Sequence, residues 1–172
     1  MPRLYLVRHA EPQATGLLLG WADPPLSPAG REQARRELAA LRASVIYSSP
    51  LRRALETAQC IPGSLTVKVL QELKEISYGS WDGRSWAAIE AEAGEWAGRK
   101  TQDWVAMTPP GGESWPSFCQ RIGRALRRIR DGPFPAVVVA HAAVNAELAH
   151  QIAGVNPLEF VQHYCGVFEY DF

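Results

Sequence analysis

Leu4-Tyr5-Leu6-Val7-Arg8-His9-Ala10-Glu11 begins as an apolar run suited to a buried strand and turns at once to an arginine, a histidine and a glutamate. An apolar core does not tolerate those groups unpaired, so chemistry is expected to begin where this strand ends. A histidine after a strand is more often a hydrogen-bonded structural residue than a catalyst, but here the pattern recurs. Pro135-Ala136-Val137-Val138-Val139-Ala140 is a continuous apolar run, as a strand buried on both faces should be, and it ends in His141.

Between these runs, strands and helices alternate. Residues 12–26 form a loop full of breakers, with Gly16, Gly20, Trp21, Asp23, Pro24 and Pro25. Ser27 and Pro28 then open a helix carrying Ala34, Leu38 and Leu41. A short strand at 44–48 leads to Ser49 as an expected N-cap and Pro50 as the first residue of a second helix, whose apolar stripe is Leu51, Leu55 and Ala58. A third strand at 65–70 runs into a glycine-shaped loop whose candidate acids are Glu72, Glu75 and Asp82.

Five tryptophans, Trp81, Trp86, Trp96, Trp104 and Trp115, fall in the segment after that loop, and one short helix is expected through Trp86, Ile89 and Ala93. Two readings stand with equal weight: packing of a minor helical layer, or a lid-like insertion at about 76–115 over a pocket. Ser114 caps a helix with Phe118, Ile122, Ala125 and Ile129 on one side; Arg121, Arg124, Arg127, Arg128 and Arg130 are expected to form a solvated face. Another helix starts at Ala142, and residues 167–172 alternate like an edge strand.

Within the second helix, Arg52 has Glu56 four residues on, a pair worth about 0.3–0.5 kcal/mol. Arg53 has no such partner although it stands at the positive end of the helix dipole. It either points into water or shares an anion with the helix N–H groups.

Length and composition fit one domain over residues 1–172, able to build a core without disulfides or a structural metal. Lys plus Arg and Asp plus Glu are equal at 18 each, so no overall field recruits nucleic acid or an anionic membrane. Cys60, Cys119 and Cys165 show no CxxC pair and no histidine at zinc spacing, and read as free thiols in a reducing compartment. No signal-peptide core and no membrane-length apolar run is present, so a cytoplasmic protein is expected.

The alternation argues for an α/β fold with a mainly parallel sheet, in which strand carboxyl ends share the ligand-binding edge. That edge would receive Arg8, His9, Arg53 and His141, with the Glu75 loop able to close over them. Two arginines and two histidines suit a doubly charged oxyanion, of which phosphate is the commonest. No carboxylates or histidines stand at metal-ligand spacing, so neither metal nor cofactor is expected, and the helix N-terminus at Ala142 would add to the anion site.

The short motifs Arg8-His9-Ala10, Ser49-Pro50-Leu51-Arg52-Arg53-Ala54-Leu55-Glu56-Thr57-Ala58, Leu73-Lys74-Glu75-Ile76-Ser77-Tyr78-Gly79-Ser80-Trp81-Asp82-Gly83 and Pro110-Gly111-Gly112-Glu113-Ser114 precede the late His141. In this order they resemble the RHG, SxLxRAxxTA, LxExxxGxWxG and PGGES motifs of the histidine phosphatase superfamily, which also contains the cofactor-dependent phosphoglycerate mutases. The resemblance implies a three-layer α/β/α sandwich of the phosphoglycerate mutase type, with His9 as a transiently phosphorylated nucleophile. It further implies that Arg8, Arg53 and His141 hold phosphoryl oxygens, and that Glu75 protonates the leaving oxygen and then activates water. Gly20, Trp21, Tyr78, Trp81 and Glu113 are expected around the substrate.

Ala10 replaces the motif's glycine and adds a methyl group beside the nucleophile; the asparagine many members carry shortly afterwards has no counterpart, Thr15 being nearest. The short loop Gly16-x-x-x-Gly20-Trp21-Ala22-Asp23-Pro24-Pro25-Leu26 resembles the alpha-ribazole phosphatase branch. His150 and His163 match nothing catalytic and are taken as surface or structural. The expected activity is metal-independent hydrolysis of a small phosphorylated metabolite, by a monomer or homodimer without nucleic-acid or membrane partners. A phosphoglycerate mutase is the alternative, disfavoured because mutases of this family are usually longer. A module that only binds phosphorylated ligands is the alternative of another class; it would need the arginines but neither His9 nor Glu75.

Overall fold

The computed structural model describes residues 2–63, 65–94 and 105–172. Its sheet has the strand order β3-β2-β4-β1-β5. Strands β1 (Arg3–Arg8), β2 (Val45–Ser48), β3 (Val67–Val69) and β4 (Ala136–Ala140) run parallel to their neighbours among themselves, and β5 (Val167–Asp171) lies antiparallel to β1 at one edge. The middle position belongs to β4, which separates β1 from β2. Its five residues are all buried, which explains the unbroken apolar run that encodes it.

Alternate strand residues feed two cores. Leu4 and Leu6 of β1 and Ala136, Val138 and Ala140 of β4 face one cluster; Val7, Val137 and Val139 face the other. Helices α3 (Trp86–Ala93), α4 (Trp115–Arg130) and α5 (Ala142–Ala153) contribute Ile89, Phe118, Ile122, Val144 and Leu148 to the first cluster. Helices α1 (Pro28–Glu37) and α2 (Arg52–Ala58) contribute Ala34, Ala54 and Ala58 to the second. Helices on both faces make the expected three-layer α/β/α sandwich.

The start of α2 differs from the sequence expectation. The helix begins at Arg52, with Leu51 as its N-cap, and Ser49 lies outside it. The cap comes from the loop after β1: the Arg52 N–H donates to Asp23 Oδ1 at 2.6 Å. Ser49 Oγ instead accepts the Leu51 N–H at 3.2 Å ahead of the helix and lies 2.7 Å from His141 Nε2. The tryptophan readings divide. Trp81 and Trp86 stack edge to face, ring centroids 5.9 Å apart, against the first core cluster. Trp96 and Trp104 lie outside the described residues.

The loop bearing Glu75 is locked to the Pro110–Ser114 turn through Gly79, which has φ +56° and whose missing side chain would strike the backbone of Pro110, Gly111 and Gly112. Ser80 donates its N–H to the Pro110 carbonyl at 2.9 Å, and Glu113 donates its own to the Ser77 carbonyl at 2.9 Å. Gly79→Ala is expected to lower stability by about 2 kcal/mol or more, read from urea midpoints at constant m-value; an unchanged midpoint would show that the two turns are not locked.

Candidate active site

Parallel strands deliver four side chains to one sheet edge. Arg8 ends β1 and His9 follows it; α2, entered from β2, presents Arg53 in its first turn; His141 is the N-cap of α5 directly after β4. The His9 and His141 ring centroids are 5.2 Å apart. Glu75 reaches the same place from its loop, where its Oε2 accepts the N–H of Ala143 in the first turn of α5 at 3.4 Å. Its Oε1 accepts the Ile76 N–H at 2.9 Å.

The imidazole of His9 is held in one tautomer. Its Nδ1 lies 2.8 Å from the Ala10 carbonyl, an oxygen that can only accept, so Nδ1 carries the proton and the Nε2 lone pair is available. Burial, then the charges of Arg53 and Arg8, push its pKa down to about 3. The carbonyl that orients it belongs to a fixed peptide. Ala10 donates its N–H to Thr57 Oγ1 at 2.9 Å, and the Ala10 methyl packs in the second core beside Leu26 and Ala34. Thr57 sits one helical turn after Arg53 and donates its hydroxyl to the Arg53 carbonyl at 2.7 Å, so α2 positions an arginine and braces the histidine together.

Arg53 is buried and Arg8 half-buried, and the hydrogen bonding of both is unfinished. Arg53 donates Nη1 to the Ala22 carbonyl at 2.7 Å and Nη2 to the Gly20 and Leu19 carbonyls at 2.8 and 3.3 Å, with Asp23 Oδ1 3.9 Å away. Arg8 donates Nη1 to the Gln162 carbonyl at 2.7 Å and lies over the Tyr164 ring at 4.3 Å. Among the described residues, the buried side-chain nitrogens without a partner are Arg8 Nε, Arg53 Nε and His141 Nδ1. Buried polar groups are normally satisfied, so three orphan nitrogens converging on one strand edge call for an acceptor from outside the chain. The other ring nitrogen of His141, Nε2, is 2.7 Å from Ser49 Oγ, which fixes the ring. Burial and the neighbouring cations hold its pKa well below the usual histidine value.

Glu75 is shifted the other way. Burial raises its pKa and outweighs the Ile76 N–H, Arg53, the Ala143 N–H and Arg8, all of which favour the carboxylate. A carboxyl group kept protonated above its usual range is suited to donating a proton. A cavity of about 310 Å³ opens beside it, walled by Glu75, Tyr78, Trp115, Ala142, Leu158 and Phe160 among others. The wall reaches Glu75 and Ala142 but not Arg8, His9 or Arg53, so anion donors and cavity meet at the carboxyl group.

Some expected pocket residues are placed elsewhere. Trp81 is a core residue, and Glu113 is paired with Arg121, whose Nη2 lies 2.6 Å from Glu113 Oε2. Arg121 is in turn no solvated residue: its Nη1 donates to the carbonyls of Glu72 and Lys74 at 2.5 and 2.8 Å, buttressing the Glu75 loop from α4. Gly20 and Trp21 belong to the loop that grips Arg53, and Trp21 donates its indole N–H to the Glu75 carbonyl at 2.9 Å. Ser49, Gln162 and Tyr164 escaped sequence reasoning. Ser49 looked like a helix cap, and the other two lie in an irregular stretch with no period to mark them.

A family model described as histidine phosphatase superfamily (branch 1) matches residues 4–172. The adenosylcobalamin/alpha-ribazole phosphatase of Escherichia coli K12 is 32% identical over 94% of this chain and 84% of the relative. Phosphoserine phosphatase 1 of Hydrogenobacter thermophilus is 32% identical over 96% of this chain and 82% of the relative. The crystal structure of the alpha-ribazole phosphatase from Shigella flexneri superposes with a TM-score of 0.89 at 29% identity, covering 98% of this chain and 90% of that one. The chain therefore belongs to the histidine phosphatase superfamily.

The pKa of His9 has a consequence for stability. Unfolded, the imidazole takes up its proton near 6.5; folded, only near 3, so between these values the unfolded state binds more protons and stability falls as pH falls. His9→Gln is expected to flatten the decline of the urea midpoint from pH 6.5 towards 3. An unaltered slope would show that His9 is not buried as a neutral ring.

Proposed function

We propose that this chain is a phosphomonoester hydrolase acting on a small phosphorylated metabolite, with His9 as nucleophile. The observation that carries the reading is the convergence of Arg8 Nε, Arg53 Nε and His141 Nδ1, buried and without partners, around a neutral His9 whose free nitrogen is Nε2. A phosphoryl group supplies the acceptors these nitrogens lack, and two guanidinium groups match its charge.

In the first step the Nε2 lone pair forms a bond to phosphorus while the bond from phosphorus to the leaving alcohol oxygen breaks. Glu75 gives that oxygen its proton. The imidazole keeps its Nδ1 proton on the Ala10 carbonyl and carries the positive charge of the phosphohistidine. In the second step Glu75, now a carboxylate, takes a proton from water as the water oxygen attacks phosphorus. The P–N bond breaks, its electrons return to Nε2, and inorganic phosphate leaves. Arg8, Arg53 and His141 hold the equatorial oxygens through both steps, and the N-terminal end of α5 at Ala142 adds its dipole.

The relatives reported above are named as phosphatases, which favours hydrolysis over isomerisation. The apolar and aromatic wall beside Glu75, with Tyr78, Trp115, Leu158 and Phe160, suits an uncharged leaving alcohol better than a carboxylated one.

Wild type is expected to release phosphate from monoesters with chelator present and to lose this activity in His9→Ala; release that persists in His9→Ala would sink the assignment of the nucleophile. Arg53→Lys keeps the charge but not the planar fork, and is expected to lower kcat/KM by about one to two orders of magnitude. Wild-type turnover in that variant would remove Arg53 from the phosphate site.

A further inference from the structure

The carboxylate of Asp82 accepts three consecutive backbone N–H groups: Gly20 on Oδ1 at 2.9 Å, and Trp21 and Ala22 on Oδ2 at 2.6 and 2.9 Å. The same short stretch turns its carbonyls the opposite way. Those of Leu19, Gly20 and Ala22 accept from the Arg53 guanidinium. The Leu19–Gly20 and Gly20–Trp21 peptides thus each lie with the N–H end on an anion and the C=O end on a cation, an alignment that fixes both dipoles. The loop has a second output. Trp21 donates its indole N–H to the Glu75 carbonyl at 2.9 Å, and the Lys74 ammonium lies 4.6 Å from the centroid of the Trp21 ring.

Asp82 touches neither of the proposed reacting groups. We propose that it is a positioning residue: its carboxylate sets the 19–22 loop so that Arg53 presents Nε to the phosphoryl group while Trp21 holds the Glu75 backbone in register. This inference rests on the phosphatase reading above. Its physical content is that one carboxylate ties the group that grips phosphate to the group that supplies the proton, so both keep the separation that one transition state requires.

The backbone around Asp82 is held without its side chain. The Asp82 N–H donates to the Gly79 carbonyl at 3.1 Å, and Gly83 and Leu18 exchange partners across the two loops, with Gly83 donating to Leu18 at 2.8 Å and Leu18 donating to Arg84 at 2.8 Å. Asp82→Asn and Asp82→Ala are therefore expected to fold, with water replacing the carboxylate at the half-exposed loop. Misplacing a catalytic group by about 1 Å lowers rates about 100-fold. Both variants are expected to lose roughly 10- to 100-fold in kcat/KM and to raise the inhibition constant of inorganic phosphate about tenfold, at a melting temperature close to wild type. Trp21→Phe severs only the link to Glu75. It is expected to leave phosphate inhibition unchanged and to slow alkyl phosphates, whose leaving group needs the proton, more than p-nitrophenyl phosphate.

An Asp82→Asn protein with wild-type phosphate inhibition would overturn the proposal, whether or not its melting temperature had fallen. An independent readout does not need turnover. The Arg53 guanidinium protons should be resolved by NMR in wild type and averaged by rotation in Asp82→Ala; equal resolution in both would also overturn it. Absence of phosphate release and phosphate binding in wild type would instead refute the phosphatase reading, and the guanidinium signals would still decide the role of Asp82.

Discussion

Burying a guanidinium that cannot give up its proton carries a desolvation penalty of several kcal/mol unless its donors are matched, and this chain buries the reactive ends of Arg8 and Arg53 beside one imidazole. The two charges do complementary things. They help hold His9 neutral, and they oppose the burial that raises the pKa of Glu75. A neutral imidazole and a carboxyl group of raised pKa coexist because one group is cationic when charged and the other anionic. The same desolvation therefore pushes their pKa values in opposite directions.

Much of the local architecture follows from restraining those cations. Their outer nitrogens are taken up by backbone carbonyls, of Gln162 for Arg8 and of Leu19, Gly20 and Ala22 for Arg53, while each Nε stays unpartnered. Carbonyls satisfy a guanidinium without neutralising it, so the positive charge remains directed at the strand edge. Carboxylates stand one step further away: Asp23 is 3.9 Å from Arg53, and Asp82 acts through the peptide groups between them. A direct bidentate pair such as Arg121 with Glu113 shows the opposite use of arginine, where the charge is matched and the group serves as scaffold.

The side proposed to receive the leaving group is built differently. It depends on apolar walls and on one carboxyl group at the start of α5, and its shape comes from segments that are distant in sequence: the Glu75 loop, the start of α4 and the stretch around Leu158 and Phe160. The side proposed to hold phosphate is made of short local stretches, Arg8-His9 after β1, Arg53 in α2 and His141 after β4. The two halves of the site thus differ in how strictly they constrain sequence, since any phosphoester shares the phosphoryl group while the alcohol varies.

What the sequence determined on its own was the set of strand ends and the charges they carry. Continuous apolar runs ending in Arg8-His9 and in His141, and an arginine without a partner at a helix start, follow from strand burial and the helix dipole, which act over a few residues and leave a local trace. The placement of β4 between β1 and β2 was not legible, nor was the capping of α2 by Asp23 or the contact of Ser49 with His141. Arg121 read as solvated because the periodicity of α4 shows which side of a helix is apolar, not what another loop brings to its polar side. Tyr164, Gln162 and the three N–H groups on Asp82 left no pattern at all. Those contacts join residues 60 to 154 or more positions apart through hydrogen bonds or one stacked ring, and only the folded chain brings their partners within reach.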